Sequence, residues 1–308
     1  MTTASATFDT TEPVISRPTG PTTDQGRPTR AGLVTGLTFV AALIFVVLSR
    51  GGTFVIGIGL LFLVFVPLEK LFAFRPQKVF RKGLVTDLTH FIVNNVFVTI
   101  GALALVVVAA IPYFWIRSFD LQGYLPTVVS ASLAIVLVFV GQYWGHRFTH
   151  TVPLLWRFHS VHHSIEQMDW VAAGRLHPFD SAFTQAFTIM PLFVLGYGGG
   201  VFAGVAVFVT LIAIFQHANV RIRFPVLRWI IPTPEWHHWH HAIDAEARDK
   251  NFGLPVVDKI FGTAHMPKGR YPSGFGTDSP VPQDGYLKHL AYPFTKQADP
   301  NRELASTA

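Results

Sequence analysis

The chain contains no cysteine. That single absence excludes disulfides, thiolate zinc sites, iron–sulfur clusters and thiolate-ligated haem. Charge is the second scarcity. Asp, Glu, Lys and Arg make up 14% of the 308 residues, against about a quarter in a soluble domain. The deficit is concentrated in long uncharged runs, which places the chain in the membrane class. No Gly-x-Gly-x-x-Gly follows a strand-like run, so no built-in nucleotide-binding reductase is expected. No His-Glu-x-x-His occurs either, which argues against a membrane zinc hydrolase with an adjacent Glu base. The net charge is +6 with histidine neutral. The basic residues sit beside apolar runs and form no dedicated patch, which argues for a positive-inside bias and against nucleic acid.

What is present is arranged in blocks. Residues 1–30 are rich in Thr, Pro, Ser and Gly and read as a disordered tail. Ala31–Leu48 and Thr53–Leu68 form an apolar hairpin around Arg50-Gly51-Gly52. With the basic loop that follows, residues 31–84 make an N-terminal membrane unit. Phe91–Ile116 is the longest apolar run, interrupted mainly by Asn94 and Asn95, and Leu125–Tyr143 is the fourth. Ala182–Tyr197 and Val201–Gln216 flank Gly198-Gly199-Gly200 as short spans or a re-entrant pair. Residues 266–308 read as a loop-rich tail. The predicted fold is all-α: a polytopic membrane helical bundle of four to six spans with a cytoplasmic histidine-rich helical cap.

Lysine and arginine set the expected orientation. Arg17, Arg27 and Arg30 precede the first span, and Lys70, Arg75, Lys78, Arg81 and Lys82 follow the second. The tail and the loop after the hairpin are therefore predicted to be cytoplasmic. Counting spans onward brings three separate histidine groups to that same face.

These groups carry the chemistry. His146 and His150 are four apart; His159, His162 and His163 follow; His237, His240 and His241 repeat the second spacing. On a helix, residues three and four apart share a face, with Cβ atoms about 5–6 Å apart. His162 and His163 splay around the helix, so one helix can serve two neighbouring metals. Eight imidazoles exceed the needs of one ion and suit two. His217 ends an apolar run, where an imidazole needs a purpose, and His177 stands before Pro178; both are expected as further ligands. His238 is expected to point elsewhere. His90, His265 and His289 read as surface or satisfied core residues. Glu166, Asp169, Glu235 and Asp244 are candidates to hold the outer nitrogens of the ligand rings.

At this point the motifs are recognisable. His146-Arg-Phe-Thr-His150 and Leu155-Trp-Arg-Phe-His-Ser-Val-His-His-Ser164 resemble the first two histidine boxes of the fatty acid hydroxylase/sterol desaturase superfamily. Met168-Asp169, Arg175 and His177-Pro178 resemble the stretch that follows them. His237-His-Trp-His-His241, Asn251-Phe-Gly253 and Asp258-Lys-Ile-Phe-Gly-Thr263 resemble the third box and its tail. The resemblance covers roughly residues 85–265. His238 stands where Arg is frequent, and Val257 where Trp is frequent.

The resemblance implies an integral-membrane, non-haem di-iron oxygenase. It would use O2 and two electrons to hydroxylate an unactivated C–H bond of a lipid-like substrate, with desaturation as the alternative outcome. By position, His146, His150, His159, His162, His163, His237, His240 and His241 carry over as iron ligands, with His177 and His217 as extra ligands. The electrons are expected from a separate ferredoxin, cytochrome or flavoprotein docking on the basic cytoplasmic surface; Arg221, Arg223 and Arg228 read first as a phospholipid-facing collar and second as part of that docking site. A bacterial inner membrane is the expected location. A metal transporter is the remote rival, but transporters place ionisable ligands within their spans, and here the predicted spans carry no Asp, Glu, Lys or Arg while the histidines lie at their ends.

Overall fold

The structure is a computed structural model that describes residues 53–222 and 225–298. The predicted tail and the first predicted span, Ala31–Leu48, lie outside the described residues. The chain divides into two compact units, residues 1–63 and 64–308. In the first, the described residues form the opening turns of helix α1, Thr53–Leu71. Everything below concerns the second unit.

No strand occurs among the described residues, only two isolated bridges. The long helices are α2 (Leu84–Ala110), α3 (Thr127–Thr151), α5 (Pro178–Val194) and α6 (Gly199–His217). Of these, α3 and α6 meet the length and apolarity needed to cross a membrane. The shorter helices are α4 (Pro153–His163), α7 (Pro234–His240), α8 (Pro255–Ile260) and α9 (Tyr286–Ala291). Four of the helices, α4, α5, α7 and α8, have proline in their first turn. The pyrrolidine presets φ and lacks the N–H that would be unpaired there. Each proline thus sets where its helix begins, and so the phase of the histidines that follow Pro153 and Pro234.

Helix α5 packs against both α2 and α3. The α3–α5 contact is a near approach of backbones. A Cβ added at Gly141 would lie 2.3 Å from the Phe187 carbonyl oxygen, and one at Gly145 would lie 3.0 Å from Phe187 Cβ. Two glycines one turn apart therefore let α5 settle onto α3 just before His146 and His150, the small-residue contact common between apolar helices.

A buried ionic network ties the basic loop to this bundle. Arg81 donates from Nε and Nη2 to both oxygens of Asp169 at 2.6 and 2.7 Å. Arg81 also pairs with Asp87 at 2.8 Å, and Asp87 takes Arg175 Nε on its other oxygen at 2.5 Å. All four side chains are buried. Two carboxylates facing two guanidiniums satisfy the condition under which buried charge is tolerated. Two more histidines join α9 to α2. His90 Nε2 lies 2.9 Å from His289 Nδ1, and the outer nitrogens meet Leu176 O and Pro282 O. Of the two readings open to them, surface or satisfied core, both are core, and they place α9, in the C-terminal stretch, against the start of α2.

Two outcomes test this packing. Gly141→Ala should destabilise the protein by about 1–3 kcal/mol, the usual cost of forcing atoms into a filled contact, read as a lower thermal midpoint in detergent. Asp87→Ala leaves two buried guanidiniums short of a carboxylate and should cost more, about 3–5 kcal/mol.

Candidate metal centre

The three histidine groups meet in one place. His146, His150, His159, His163 and His240 form one set, and His162, His217, His237 and His241 a second; within each set the candidate ligand nitrogens lie within 4.8 Å of one another. The second box divides as its spacing predicted, with His159 and His163 in the first set and His162 in the second. The third box divides too: His240 faces the first set, His237 and His241 the second. The two sets are adjacent, with the His163 and His241 rings stacked at 4.5 Å.

Most of these rings are held from behind. A carbonyl oxygen can only accept, so the ring nitrogen facing it must carry the proton. His146 Nδ1 donates to Phe252 O at 2.7 Å, His240 Nδ1 to Lys250 O at 2.7 Å, His162 Nδ1 to Arg175 O at 3.0 Å and His217 Nδ1 to Ala213 O at 2.6 Å. His159 Nδ1 donates to the Asp180 carboxylate at 3.0 Å. The proton is thereby placed on Nδ1, and the Nε2 lone pair points inward. His150 fits the same pattern: its Nδ1 lies 3.4 Å from Asp249, and its Nε2 is buried without a hydrogen-bond partner.

The inward nitrogens are crowded. His146 Nε2 is 3.1 Å from His159 Nε2, and His162 Nε2 is 3.2 Å from His217 Nε2. In both pairs the protons sit on the outer nitrogens, so bare lone pairs face each other. Two nitrogens each about 2.0–2.1 Å from one cation lie about 2.8–3.4 Å apart at right-angle to tetrahedral geometry. The observed separations fall in that range, so the arrangement fits shared cations and is repulsive without them. Protonation is a poor alternative. Burial pushes His240 down to about 3 and holds His162, His163, His237 and His241 well below 6.5, each of these four further depressed by neighbouring imidazoles. These five rings are neutral at physiological pH, the state that binds metal. An all-imidazole donor set suits Zn, Cu, Fe or Ni.

Not every predicted residue joins. His177 lies outside both sets. It caps α5, its Nδ1 accepting from Phe179 N at 3.1 Å, while Nε2 donates to Leu290 O at 3.3 Å. His238 is buried between the rings of Phe74 and Phe275, away from the two sets, as expected. The four acids named as orienting partners do other work. Asp169 holds Arg81, Asp244 accepts from Ser273 N, Glu235 faces Arg228 and Glu166 is exposed. Asp180, which sequence reasoning missed, takes that role for His159. Its position in the first turn of α5, three residues after His177, was the available signal.

Comparison with known proteins agrees with the motifs. The fatty acid hydroxylase family model matches residues 131–263, a range that contains all nine clustered histidines. Residues 131–263 are thus similar to a fatty acid hydroxylase domain. It is 33% identical over 174 residues to the ornithine lipid hydroxylase OlsE of Rhizobium tropici, a match covering 56% of this chain and 52% of that protein. It is 30% identical over 195 residues to the alkylglycerol monooxygenase of Danio rerio, covering 58% and 43%. The very-long-chain aldehyde decarbonylase GL1-7 of Oryza sativa is 29% identical over 135 residues, covering 39% and 21%. The chain spans about half the length of the first of these relatives and less of the other two. No solved structure matches it. Within the matched stretch lie α4, α5, α6, α7 and α8 and most of α3; α9 lies beyond it.

Asp180→Ala should leave the fold intact and lower metal affinity about 10–100-fold, the usual effect of deleting a ligand's orienting partner. Metal retained after dialysis against a graded chelator series measures it.

Proposed function

We propose that this protein is a membrane-bound di-iron oxygenase that hydroxylates a C–H bond of a lipid-like substrate. The observation that carries the reading is the pair of adjacent all-histidine sets, whose inward lone pairs lie at the separation that shared cations require. The family match and the lipid-modifying relatives support the reaction class. Two bound iron ions would activate O2 and supply the oxidant for C–H cleavage. In the overall balance one oxygen atom enters the C–H bond and the other leaves as water, with two electrons and two protons from outside.

The chain's own residues do the rest. His146, His150, His159, His163 and His240 would hold one ion, and His162, His217, His237 and His241 the other. His177, expected from the resemblance as a further ligand, would serve as a helix cap. Aromatic rings shield the first set from water: Phe252 lies 5.1 Å from the His150 ring, and Trp156 lies 5.2 Å from His150 and 5.4 Å from His163. Exclusion of water protects a strong oxidant from side reactions. The apolar helices α3 and α6 end at the histidines, so a substrate dissolved in the bilayer would reach the site laterally. The asymmetry of Lys and Arg supports a cytoplasmic site in a bacterial inner membrane, a multi-pass arrangement and electron delivery by a separate ferredoxin, cytochrome or flavoprotein. Arg228 pairs with Glu235 at 3.6 Å and Arg221 lies over Tyr271 at 5.2 Å, so both are anchored in part; Arg223 lies outside the described residues.

Two measurements check this reading. Anaerobically purified protein should hold about two irons per chain with coupled Mössbauer spectra, and His159→Ala or His240→Ala should abolish turnover and lower bound metal. Lipid mass spectrometry of cells with and without the protein should show a product one oxygen heavier. Loss of two hydrogens instead would assign desaturation, and an unchanged lipid profile in cells that make the protein would count against the enzyme.

A further inference from the structure

The stretch after the third histidine box backs and shields rings of the first set, and its backbone is distinctive. Asp249 and Asn251 have φ of 54° and 60°, the left-handed region that Asn and Asp tolerate better than other residues with a Cβ. They bracket Lys250 and turn the chain so that three successive groups face one histidine set. Lys250 O accepts from His240 Nδ1 at 2.7 Å, and Phe252 O accepts from His146 Nδ1 at 2.7 Å. The Asp249 carboxylate lies 3.4 Å from His150 Nδ1. Three of the five rings in that set are therefore backed by four consecutive residues. In the other set, His162 and His217 are backed by Arg175 O and Ala213 O, on different elements.

Two buried side chains hold this segment in shape. Asn251 donates to Trp236 O at 3.0 Å and His265 O at 2.7 Å, and accepts from His265 N at 2.7 Å. Asp258, in the first turn of α8, accepts from Phe252 N at 2.9 Å, Gly253 N at 2.8 Å and Thr263 Oγ1 at 2.7 Å. Gly253 lets the segment lie against α3: a Cβ there would stand 3.3 Å from Tyr143 Cβ, one turn ahead of His146. None of these bonds reaches a ring of the second set.

We propose that Asp249–Phe252 is an orienting clamp for one of the two metal positions only, with Asn251 and Asp258 as its positioning residues. The inference rests on the metal-centre reading above. It divides the centre into two separately supported halves. The five-histidine position depends on the clamp, while the four-histidine position depends on Arg175, Ala213 and the ionic network behind Arg175. Loosening the clamp lets the His146, His150 and His240 rings turn and weakens one site selectively.

The test uses the full-length protein in detergent, stripped of metal and titrated with Co(II), with bound cobalt and its visible absorption both recorded. The unaltered protein should bind two equivalents. His237→Ala, a change in the four-histidine set, identifies the bands of that position by their loss. Asn251→Gly keeps the left-handed backbone accessible and deletes the side-chain bridge. It should weaken only the other equivalent, about 10–100-fold, and leave the bands lost in His237→Ala unchanged. Should Asn251→Gly fail to fold, Asp249→Gly touches only a half-exposed carboxylate and should weaken the same equivalent to a smaller degree. Equal weakening of both positions, or none, would overturn the clamp. An unaltered protein that binds no metal would instead overturn the metal-centre reading on which it rests.

Discussion

Everything distinctive in this protein follows from one electrostatic constraint: neutral imidazoles pressed together with their lone pairs facing inward. Burial makes protonation unfavourable, and every neighbouring ring makes a second positive charge worse. Outer acceptors then fix where the remaining proton sits. With Nδ1–H committed to Phe252 O, Lys250 O, Arg175 O, Ala213 O and Asp180, five rings have no choice but to present Nε2. The resulting cavity is electron-rich without containing a carboxylate ligand. A multivalent cation is the natural complement, and the nitrogen separations match those of shared ions.

The scaffold serves this arrangement by controlling phase. Prolines 153 and 234 start the helices that carry the second and third boxes. Histidines four apart then share a set, as His159 and His163 or His237 and His241 do, while His162 and His240 between them face the other set. Gly141 and Gly145 allow α5 to press on α3, which brings Asp180 at the head of α5 behind His159. The Arg81–Asp169–Asp87–Arg175 network positions the main chain at Arg175, whose carbonyl orients His162. Ion pairing, helix packing and ligand orientation are thus connected through shared residues.

The domain that the family model matches holds the full set of clustered rings, but it is not self-sufficient. Arg81, Asp87 and His90 precede it, and His289 and Tyr292 follow it. Tyr292 packs with Val161 on the helix that carries the second box, and His289 holds α9 against α2. Residues 266–308 read as a loop-rich tail because the 267–285 stretch is rich in Gly and Pro. The place of α9 against α2 comes from two histidines that each look ordinary in isolation.

What the amino-acid order determined by itself was everything that depends on local spacing. The absence of cysteine, the shortage of charge, the all-helical class and the splay of His162 and His163 to different sides of their helix could all be read from period and composition, because helix geometry converts spacing into direction. Those signals also placed His217 with the centre and His238 away from it. Only the tertiary structure decided which groups stand behind the rings. Asp180 took the role expected of Asp169, His177 became a helix cap, and main-chain carbonyls did most of the orienting, with Phe252 O reaching His146 from another segment and Ala213 O reaching His217 within one helix. Backbone oxygens are identical at every position, so no residue pattern marks the few that a fold brings within hydrogen-bonding distance of a histidine.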